Sequence, residues 1–506
     1  MVGTTLEVLD TSIVYVSLPH MRGSFSASVD EVTWIVTSYF VANGVMIPLT
    51  GWIASRFGRK RYFLASVTMF VLASALCGAA QSLTQMVIFR LLQGAAGAAM
   101  IPCSQAILME TFPAEERALA MATWGVGLMV APIMGPTLGG WITDNWSWRW
   151  NFYINIPSGL IAAAMVYSFV HDPAYMRLSR KTGGRIDYLG IAYLVLGLGL
   201  WQIVLDRGER ADWFHSSWVV YAAVIASLCL LLLVFRELRF PEPVIELRTL
   251  KKPAFTLALV LIITMSFAGY SSWLLGPLFL QEFMGYTAWR AGLLMTPGGL
   301  ATMASMMMVG QLERYGYDTR RLIGVGFAFL ACAFWMMSGW NLQMDPWAFV
   351  RAGLVAGIGY GMIFPTLSAA SLSCIEPERM GYAASLYNMM RNTGAAAGVS
   401  ILTTFLLRHE QIHQAHLTEH FSVFNAWAIS QQAPRVPGMM SLEHPVQLLA
   451  GHSQGLGMIY QMAQGQAAML SFNDIYRLLS TLALILIPAS FLLLLTKSTP
   501  TPSSVH

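Results

Sequence analysis

The sequence has few charged residues, and this shortage decides its class. Asp, Glu, Lys and Arg make up 11% of the 506 residues, whereas 56% are hydrophobic. A soluble protein has roughly one quarter charged residues, so this chain cannot cover a soluble surface of its size. The apolar residues form blocks long enough for transmembrane helices, about 20 residues each, and not the short alternating segments of a β-barrel. We therefore expect an all-α polytopic membrane protein.

Several chemical signatures are also missing. The five cysteines all lie in or beside apolar runs, which predicts packing residues and no disulfide or metal framework. No ATP-binding signature, nucleophile triad or metal motif occurs, so we expect no enzymatic activity and no cofactor, and an ion gradient as the energy source. The net charge of +4 does not indicate nucleic-acid binding, because the basic residues lie at helix ends.

The apolar runs predict fourteen spans, an even number that places both termini on one side of the membrane. With that side inside, most of the 30 lysines and arginines lie in cytoplasmic segments, as the positive-inside rule requires. The predicted spans are residues 1–21, 31–54, 62–80, 84–108, 117–142, 150–170, 186–205, 216–235, 254–281, 289–312, 321–340, 346–370, 381–407 and 473–496.

The chain contains an internal repeat. A strongly basic turn from Gly51 to Arg61 separates two apolar runs, and a shorter echo runs from Gly310 to Gly316. Pro102 and Pro365 follow at similar offsets, near 260 residues. The repeat predicts two six-helix bundles with a substrate path at their interface. We expect an N-terminal bundle at 1–170, two extra helices and cytoplasmic linkers at 171–250, and a C-terminal bundle at 251–506 with a long outer loop at 408–472.

The N-terminus is short for a first span. Only nine residues precede Asp10, and at 1.5 Å per residue they cover about 14 Å, roughly half of a hydrocarbon core of about 30 Å. We therefore expect the natural start to lie upstream of Met1.

Four motifs resemble one known family. The major facilitator superfamily carries G-x-x-x-D-R-x-G-R-R/K between its second and third helices, which Gly51 to Arg61 match except at Ser55. Its fourth helix carries R-x-x-Q-G, here Arg90 to Gly94, and its exporters carry G-x-x-x-G-P-x-x-G-G, here Ala131 to Gly140 without the first glycine. Leu9 to Pro19 resembles the first helix of the fourteen-helix drug:proton antiporters of the EmrB/QacA branch.

This resemblance implies a function. It implies the major facilitator fold in the bacterial inner membrane and proton-coupled export of hydrophobic or amphipathic drugs by alternating access. It also suggests partnership with a periplasmic adaptor and an outer-membrane channel. Two alternatives stay open: export of an endogenous metabolite or lipid, and a transporter-like sensor that moves nothing.

Asp10 is the strongest functional candidate. An ionisable group within a span is costly and is rarely there without a function. Glu7 lies one turn away on the same helix face, and a buried Arg90 needs a carboxylate or several carbonyls as partners. We expect Asp10, Glu7 and Arg90 to couple transport to protons; a purely structural hydrogen-bonded or ion-paired cluster is the alternative.

The substrate cavity and the conformational motifs are the other expected sites. Arg391 has three possible partners: helix-end carbonyls, a substrate anion or the carboxylates of the N-terminal half. Since an acid is usual at Ser55 in the family, we expect a cytoplasmic latch that is weaker in the N-terminal half and depends more on Glu313. In the family, the helix with the exporter motif packs against the other half. The cavity candidates are Trp34, Tyr39, Asn43, Gln93, Tyr270, Asn388 and Arg391; the conformational candidates are Gly51, Ser55, Arg56, Gly58, Arg59, Glu313, Arg314, Gly135, Pro136, Gly139 and Gly140.

Four histidines follow the thirteenth span. The spacing of His409, His413, His416 and His420 places them on one helix face. Such a stripe could bind Zn²⁺ or Cu²⁺ or sense periplasmic pH. A solvated polar helix face is the interpretation that we favour.

Overall fold

The chain folds into fourteen long helices within the residues that the structure, a computed structural model, describes: 1–113, 115–173, 186–240, 243–419 and 445–493. Twelve of the fourteen are long and apolar enough to cross a membrane. The helices are α1 Val2–Phe25, α2 Val29–Phe57, α3 Arg59–Ala79, α4 Leu83–Thr111, α5 Arg117–Asn145, α6 Trp150–Phe169, α7 Tyr188–Arg207, α8 Ser217–Arg239, α9 Pro253–Phe283, α10 Ala288–Arg314, α11 Thr319–Met337, α12 Pro346–Ser373, α13 Met380–Glu419 and α14 Pro445–Leu492.

The two basic turns of the sequence are tight connections between helices. Gly58 joins α2 to α3 with φ 91°, and Gly316 lies between α10 and α11 with φ 87°. Residues other than glycine rarely adopt a positive φ of this size, which explains the glycine at each turn. We call the end of the molecule that carries both turns the hairpin end.

The helices form two groups with an extra pair beside them. Helices α1–α6 pack on one another, as do α9–α14, while α7 pairs with α8 and lies against α2 and α13. The two groups meet through α2 with α13 and through α5 with α10. Because α2 corresponds to α10 and α5 to α13 in the repeat, these two contacts are equivalent. The fold is therefore the predicted one, two six-helix bundles related by pseudo-symmetry.

The two halves touch closely at the hairpin end. A Cβ atom on Gly51 would lie 2.7 Å from the carbonyl oxygen of Gly381, and one on Gly310 would lie 3.0 Å from Ala122 Cβ. Gly51 and Gly310 are the first residues of the two basic motifs, so the repeated glycine is explained by helix contact across the halves. At these two positions the interface cannot take an added methyl group without a shift of its neighbours.

The last two helices are longer than the apolar runs predicted. The segment 408–472, expected as a loop, is helical at both ends: α13 continues to Glu419 and α14 begins at Pro445. Hydropathy marks where a helix leaves the hydrocarbon core, and residues such as His, Gln and Ala beyond that point allow the helix to continue. His420 lies outside the described residues, as does the side chain of Pro136 in α5.

Candidate functional site

Asp10 forms the centre of a buried polar cluster in the N-terminal half. Its carboxylate accepts hydrogen bonds from Arg90 Nη1 at 2.7 Å, Gln93 Nε2 at 2.9 Å and Asn155 Nδ2 at 2.6 Å. The donors lie on α4 and α6, and the Asp10 side chain is completely shielded from solvent. Three donors, one of them a cation, stabilise the ionised carboxylate.

Arg90 is as deeply buried as its partner. It is 1% exposed and also donates from Nε to the Ile35 carbonyl at 3.2 Å and from Nη1 to Gln93 Oε1 at 2.7 Å. Its guanidinium carbon lies 4.3 Å from the centre of the Tyr39 ring, a cation–π distance. Of the two carboxylates expected near Arg90, Asp10 is therefore the one in contact.

Glu7 has a different environment, although it lies only one turn from Asp10. Its Oε1 accepts a hydrogen bond from Asn43 Nδ2 at 3.0 Å. Its Oε2 is buried and has no hydrogen-bond partner among the described residues. A carboxylate with one unmatched buried oxygen is costly when charged, which favours its neutral form in this conformation.

Asn155 belongs to this cluster but was not predicted. It donates to Ser74 Oγ at 3.0 Å as well as to Asp10. The sequence shows two amides in this apolar span, Asn151 and Asn155, and an amide alone does not identify its partner. The cluster therefore includes one contributor from α6 besides the predicted residues of α1 and α4.

A cavity lies between the two halves, next to their closed hairpin end. It is largely apolar, and helices α5, α9, α10, α12 and α13 contribute to its wall. Two predicted cavity residues, Tyr270 and Arg391, line it. Besides these two, its walls include Met129, Met265, Met306 and Phe364.

The other predicted cavity residues lie elsewhere. Tyr39, Asn43 and Gln93 belong to the polar network around Asp10 and Glu7. Trp34 is half-exposed, and the guanidinium of Arg207 on α7 lies 4.3 Å from its ring centre. Asn388 is buried and is described with its partner below.

Two contacts close the interface beneath the cavity. Asn388 of α13 donates to Gln105 Oε1 of α4, and Gln105 donates to Ser368 Oγ of α12 at 3.2 Å. Trp124 of α5 stacks on Phe364 of α12 with ring centres 6.1 Å apart. Gln105 was not singled out from the sequence, since it lies outside the Arg90 to Gly94 motif that identified Gln93 in the same helix.

Arg391 is the cationic group of the cavity wall. Its guanidinium carbon lies 5.9 Å from the centre of the Phe364 ring, and it is close enough to Glu7 of the other half for a coulombic interaction. Of the three expected partners, an N-half carboxylate is therefore within electrostatic reach.

The latch residues at the hairpin end are arranged differently from expectation. Ser55 donates to the Trp52 carbonyl at 2.8 Å or shares a hydrogen bond of 2.9 Å with the Tyr382 hydroxyl across the two halves. Glu313, by contrast, lies beside Thr319 of its own half, and Arg314 is exposed. The contact across the halves is therefore made by Ser55.

The basic turn is also fixed within the N-terminal half. Arg59 is buried and forms two hydrogen bonds with the Glu110 carboxylate of α4, at 2.9 and 2.7 Å. Arg56 lies 5.8 Å from the centre of the Trp52 ring. This bidentate pair holds the start of α3 against the end of α4.

The glycines of the exporter motif contact a helix of their own half. A Cβ atom at Gly135 would overlap with Ser12 Cβ, while one at Gly139 would lie 3.0 Å from Ile13 Cγ2 and one at Gly140 3.8 Å from Val16 Cγ1. These residues pack α5 against α1, whereas the other half is contacted through Trp124 and its neighbours. The helix therefore contacts the other half, as expected, through Trp124, whereas the glycines of the motif make its close approach to α1.

Comparisons with known proteins agree with this architecture. The model of the Major Facilitator Superfamily matches residues 1–399. The multidrug export protein EmrB of Haemophilus influenzae is 37% identical over 427 residues, covering 84% of this chain and 82% of that protein. The fatty acid resistance protein FarB of Neisseria gonorrhoeae is 34% identical over 490 residues, covering 96% and 93%.

A solved structure shows the same fold at low identity. The crystal structure of the human organic anion transporter MFSD10 superposes with a TM-score of 0.59 at 14% identity, covering 95% of this chain and 97% of that one. Together with the match to the family model and the identity to EmrB over most of both chains, this confirms the resemblance read from the motifs. The chain is a multi-pass membrane transporter that belongs to the Major Facilitator Superfamily and, within it, to the family of the EmrB export proteins.

Proposed function

We propose that this chain is a proton-coupled exporter of hydrophobic or amphipathic drugs that works by alternating access between its two six-helix halves. The observation that carries the proposal is a pair of buried carboxylates on α1, Asp10 and Glu7, beside an apolar cavity between the halves. Names of relatives such as the multidrug export protein EmrB support the drug substrate.

The two carboxylates have different roles in this proposal. Asp10 accepts hydrogen bonds from Arg90, Gln93 and Asn155, whereas Glu7 has one donor and an unmatched oxygen. Glu7 therefore carries the exchangeable proton in this conformation. When Glu7 loses its proton, its charge attracts Arg391 across the interface, which couples proton release to the position of α13.

The conformation described here is outward-facing in this proposal. An even number of spans places both termini at the hairpin end, and the basic residues Arg56, Arg59, Lys60 and Arg61 at that end favour a cytoplasmic location. The close contact at Gly51 and Gly310 then closes the cytoplasmic side. Labelling single cysteines introduced at Arg61 and Tyr315 with a membrane-impermeant reagent in intact cells tests the orientation; rapid labelling of both positions would contradict it.

Transport in vesicles tests the function. Inverted membrane vesicles with an imposed proton gradient are expected to accumulate a fluorescent hydrophobic dye with the wild type, and addition of dye is expected to dissipate the gradient. Glu7→Gln is expected to stop the dye-dependent proton flux. If the wild type binds the dye but the vesicles do not accumulate it, the result would support the sensor alternative. If the dye accumulates equally with and without a proton gradient, the result would contradict proton coupling.

A second substrate class has a specific observation in its favour. Arg391 places one cation in an otherwise apolar cavity wall, which suits an amphipathic anion such as a fatty acid. The relative named fatty acid resistance protein FarB is consistent with this chemistry. Arg391→Gln is then expected to lower transport of an anionic amphiphile more than transport of a cationic dye. Equal losses for the two substrates would contradict a role of Arg391 in selecting anions.

A tripartite assembly is our proposal for the partners. It rests on the resemblance to EmrB-type pumps, which implies a periplasmic adaptor and an outer-membrane channel. A membrane-anchored adaptor encoded beside this chain should co-purify with it in a fixed ratio. A transporter that confers full drug resistance without any adaptor would contradict the assembly.

A further inference from the structure

Two histidines near the C-terminal end of α13 meet an aspartate in the middle part of α14. His413 Nε2 lies 2.8 Å from Asp474 Oδ2, and His409 Nδ1 lies 3.3 Å from the same oxygen. The three ligand atoms all lie within 4.8 Å of one another. His409 and His413 are one turn apart, so both rings face α14.

This cluster differs from the histidine stripe expected from the sequence. His416 faces away from Asp474 and lies 3.7 Å from Glu419 of its own helix. Of the three histidines that the structure describes, two thus belong to the cluster, together with an acid that is 61 residues from His413 along the chain.

We propose that His409, His413 and Asp474 form a binding site for a divalent transition-metal ion, with Zn²⁺ as the ion that suits these ligands. Two imidazoles and one carboxylate are a common zinc ligand set, with water in a fourth position. Zinc ligands at about 2.0–2.2 Å in tetrahedral geometry lie about 3.4 Å from one another. The histidine–aspartate distances are already close to this value, so small side-chain rotations are sufficient to accommodate the ion.

The surroundings hold the ligands in position. The His409 ring stacks on Phe405 with ring centres 3.7 Å apart and an interplanar angle of 20°. Arg477 Nη1 lies 3.7 Å from the other carboxylate oxygen, Asp474 Oδ1, which leaves Oδ2 directed at the histidines. The three ligand side chains are 26–32% exposed, so an ion can reach them while packed helices restrict their motion. Outer contacts of this kind orient metal ligands.

A metal ion and simple ion pairs predict opposite responses to pH. Imidazole must be neutral to bind a metal, so metal binding weakens as the pH falls. Ion pairs between protonated histidines and Asp474 strengthen as the pH falls. The proposed site lies within the C-terminal half and does not depend on the proposed transport function.

Zinc binding to the full-length protein tests the site. The tag-free protein in detergent competes with a fluorescent zinc chelator near neutral pH, and we expect one high-affinity ion per chain. His413→Ala and Asp474→Asn are each expected to weaken binding about tenfold or more. His416→Ala, which removes the next histidine along α13 and lies outside the cluster, is the matched control and should bind like the wild type.

Two further readouts separate a metal site from a folding defect. Co²⁺ should give the visible absorption of a tetrahedral site in the wild type and not in Asp474→Asn, whose side chain has nearly the same shape. Zn²⁺ should raise the Tm of the wild type and of His416→Ala, but not that of His413→Ala. No stoichiometric binding to the wild type, or equal affinity in the wild type, His413→Ala and Asp474→Asn, would overturn the proposal.

Discussion

The N- and C-terminal halves place an arginine at corresponding points of their fourth helices, yet the two side chains have opposite surroundings. Arg90 of α4 is 1% exposed and bonded to Asp10, Gln93 and the Ile35 carbonyl. Arg351 of α12 is exposed and donates to the Trp347 carbonyl of its own helix. The difference arises from the first helix of each half, since α9 has no carboxylate before Glu282, near its end.

This difference indicates that the two repeated halves have different functions. A buried ion pair is weak evidence for stability, because desolvation offsets much of the attraction. The N-terminal half retains one, while the C-terminal half supplies most of the apolar cavity wall. In our proposal, the N-terminal half therefore binds and releases the protons, and the C-terminal half contributes most of the substrate-binding surface.

Asp10→Asn gives the largest expected effect on this division. The amide keeps the shape but removes the charge that balances Arg90, so proton-driven dye accumulation in vesicles should fall to background. Breaking a buried pair costs about 3–5 kcal/mol, and the Tm in detergent should fall accordingly. The double variant Asp10→Asn with Arg90→Gln should recover much of the Tm without recovering transport.

That double variant decides between function and structure. A variant with recovered Tm and recovered transport would show that the Asp10–Arg90 pair is only structural, and proton coupling would then rest on Glu7 alone. Unchanged transport in Asp10→Asn alone would directly contradict a role of Asp10 in coupling.

Arg90→Gln and Arg351→Gln compare the two halves at one position each. Loss of Arg90 leaves the Asp10 carboxylate buried without its cation and should cost about 3–5 kcal/mol of stability. Loss of Arg351, which contacts its own helix, should stay within about 0.5 kcal/mol. Thermal unfolding of the purified variants measures both, and similar losses would mean that the two halves are not specialised in this way.

The repeat and the motifs predicted the fold well and the differences between the two halves only in part. Hydropathy located the fourteen helices and the basic motifs located both turns, because helix spans and tight turns depend on local sequence. The acid usually found at Ser55 was visibly absent, and Asp10 was visibly isolated in an apolar run.

Apart from the grouping of Asp10 with Arg90, the contacts within the clusters could not be predicted from the sequence. Asn155, Gln105 and Asp474 contact residues on helices that are distant in sequence. The identity of a single polar residue does not indicate which residue it contacts. The lengths of α13 and α14 were underestimated because apolarity ends at the membrane boundary, whereas the helix does not.

Gly51→Ala and Gly310→Ala test whether the equivalent contacts across the halves are equally tight. A Cβ at Gly51 would meet the backbone of Gly381 at 2.7 Å, whereas one at Gly310 would meet Ala122 Cβ at 3.0 Å. Overpacking costs about 1–3 kcal/mol, so both variants should open the hairpin end, with the larger effect at Gly51. Gly292→Ala on α10, whose Cβ would have no neighbour within 4 Å, is the matched control.

Spin labels at Arg61→Cys and Tyr315→Cys measure the opening as a longer distance between the halves. An unchanged distance distribution in Gly51→Ala would show that the contact does not control this conformation. A larger shift at Gly310 would reverse the order given by the distances.

The smallest expected effect concerns the latch at Ser55. Tyr382→Phe removes the hydroxyl that bonds Ser55 Oγ at 2.9 Å and should weaken the closed hairpin end by about 0.5–1.5 kcal/mol, the net contribution of one hydrogen bond. Glu313→Gln should change it less, because Glu313 lies beside Thr319 of its own half. Ser55→Asp should favour the closed state, since a carboxylate accepts a stronger hydrogen bond from Tyr382. If the same label pair shows more opening in Glu313→Gln than in Tyr382→Phe, the latch depends on the C-terminal half, as the sequence alone had suggested.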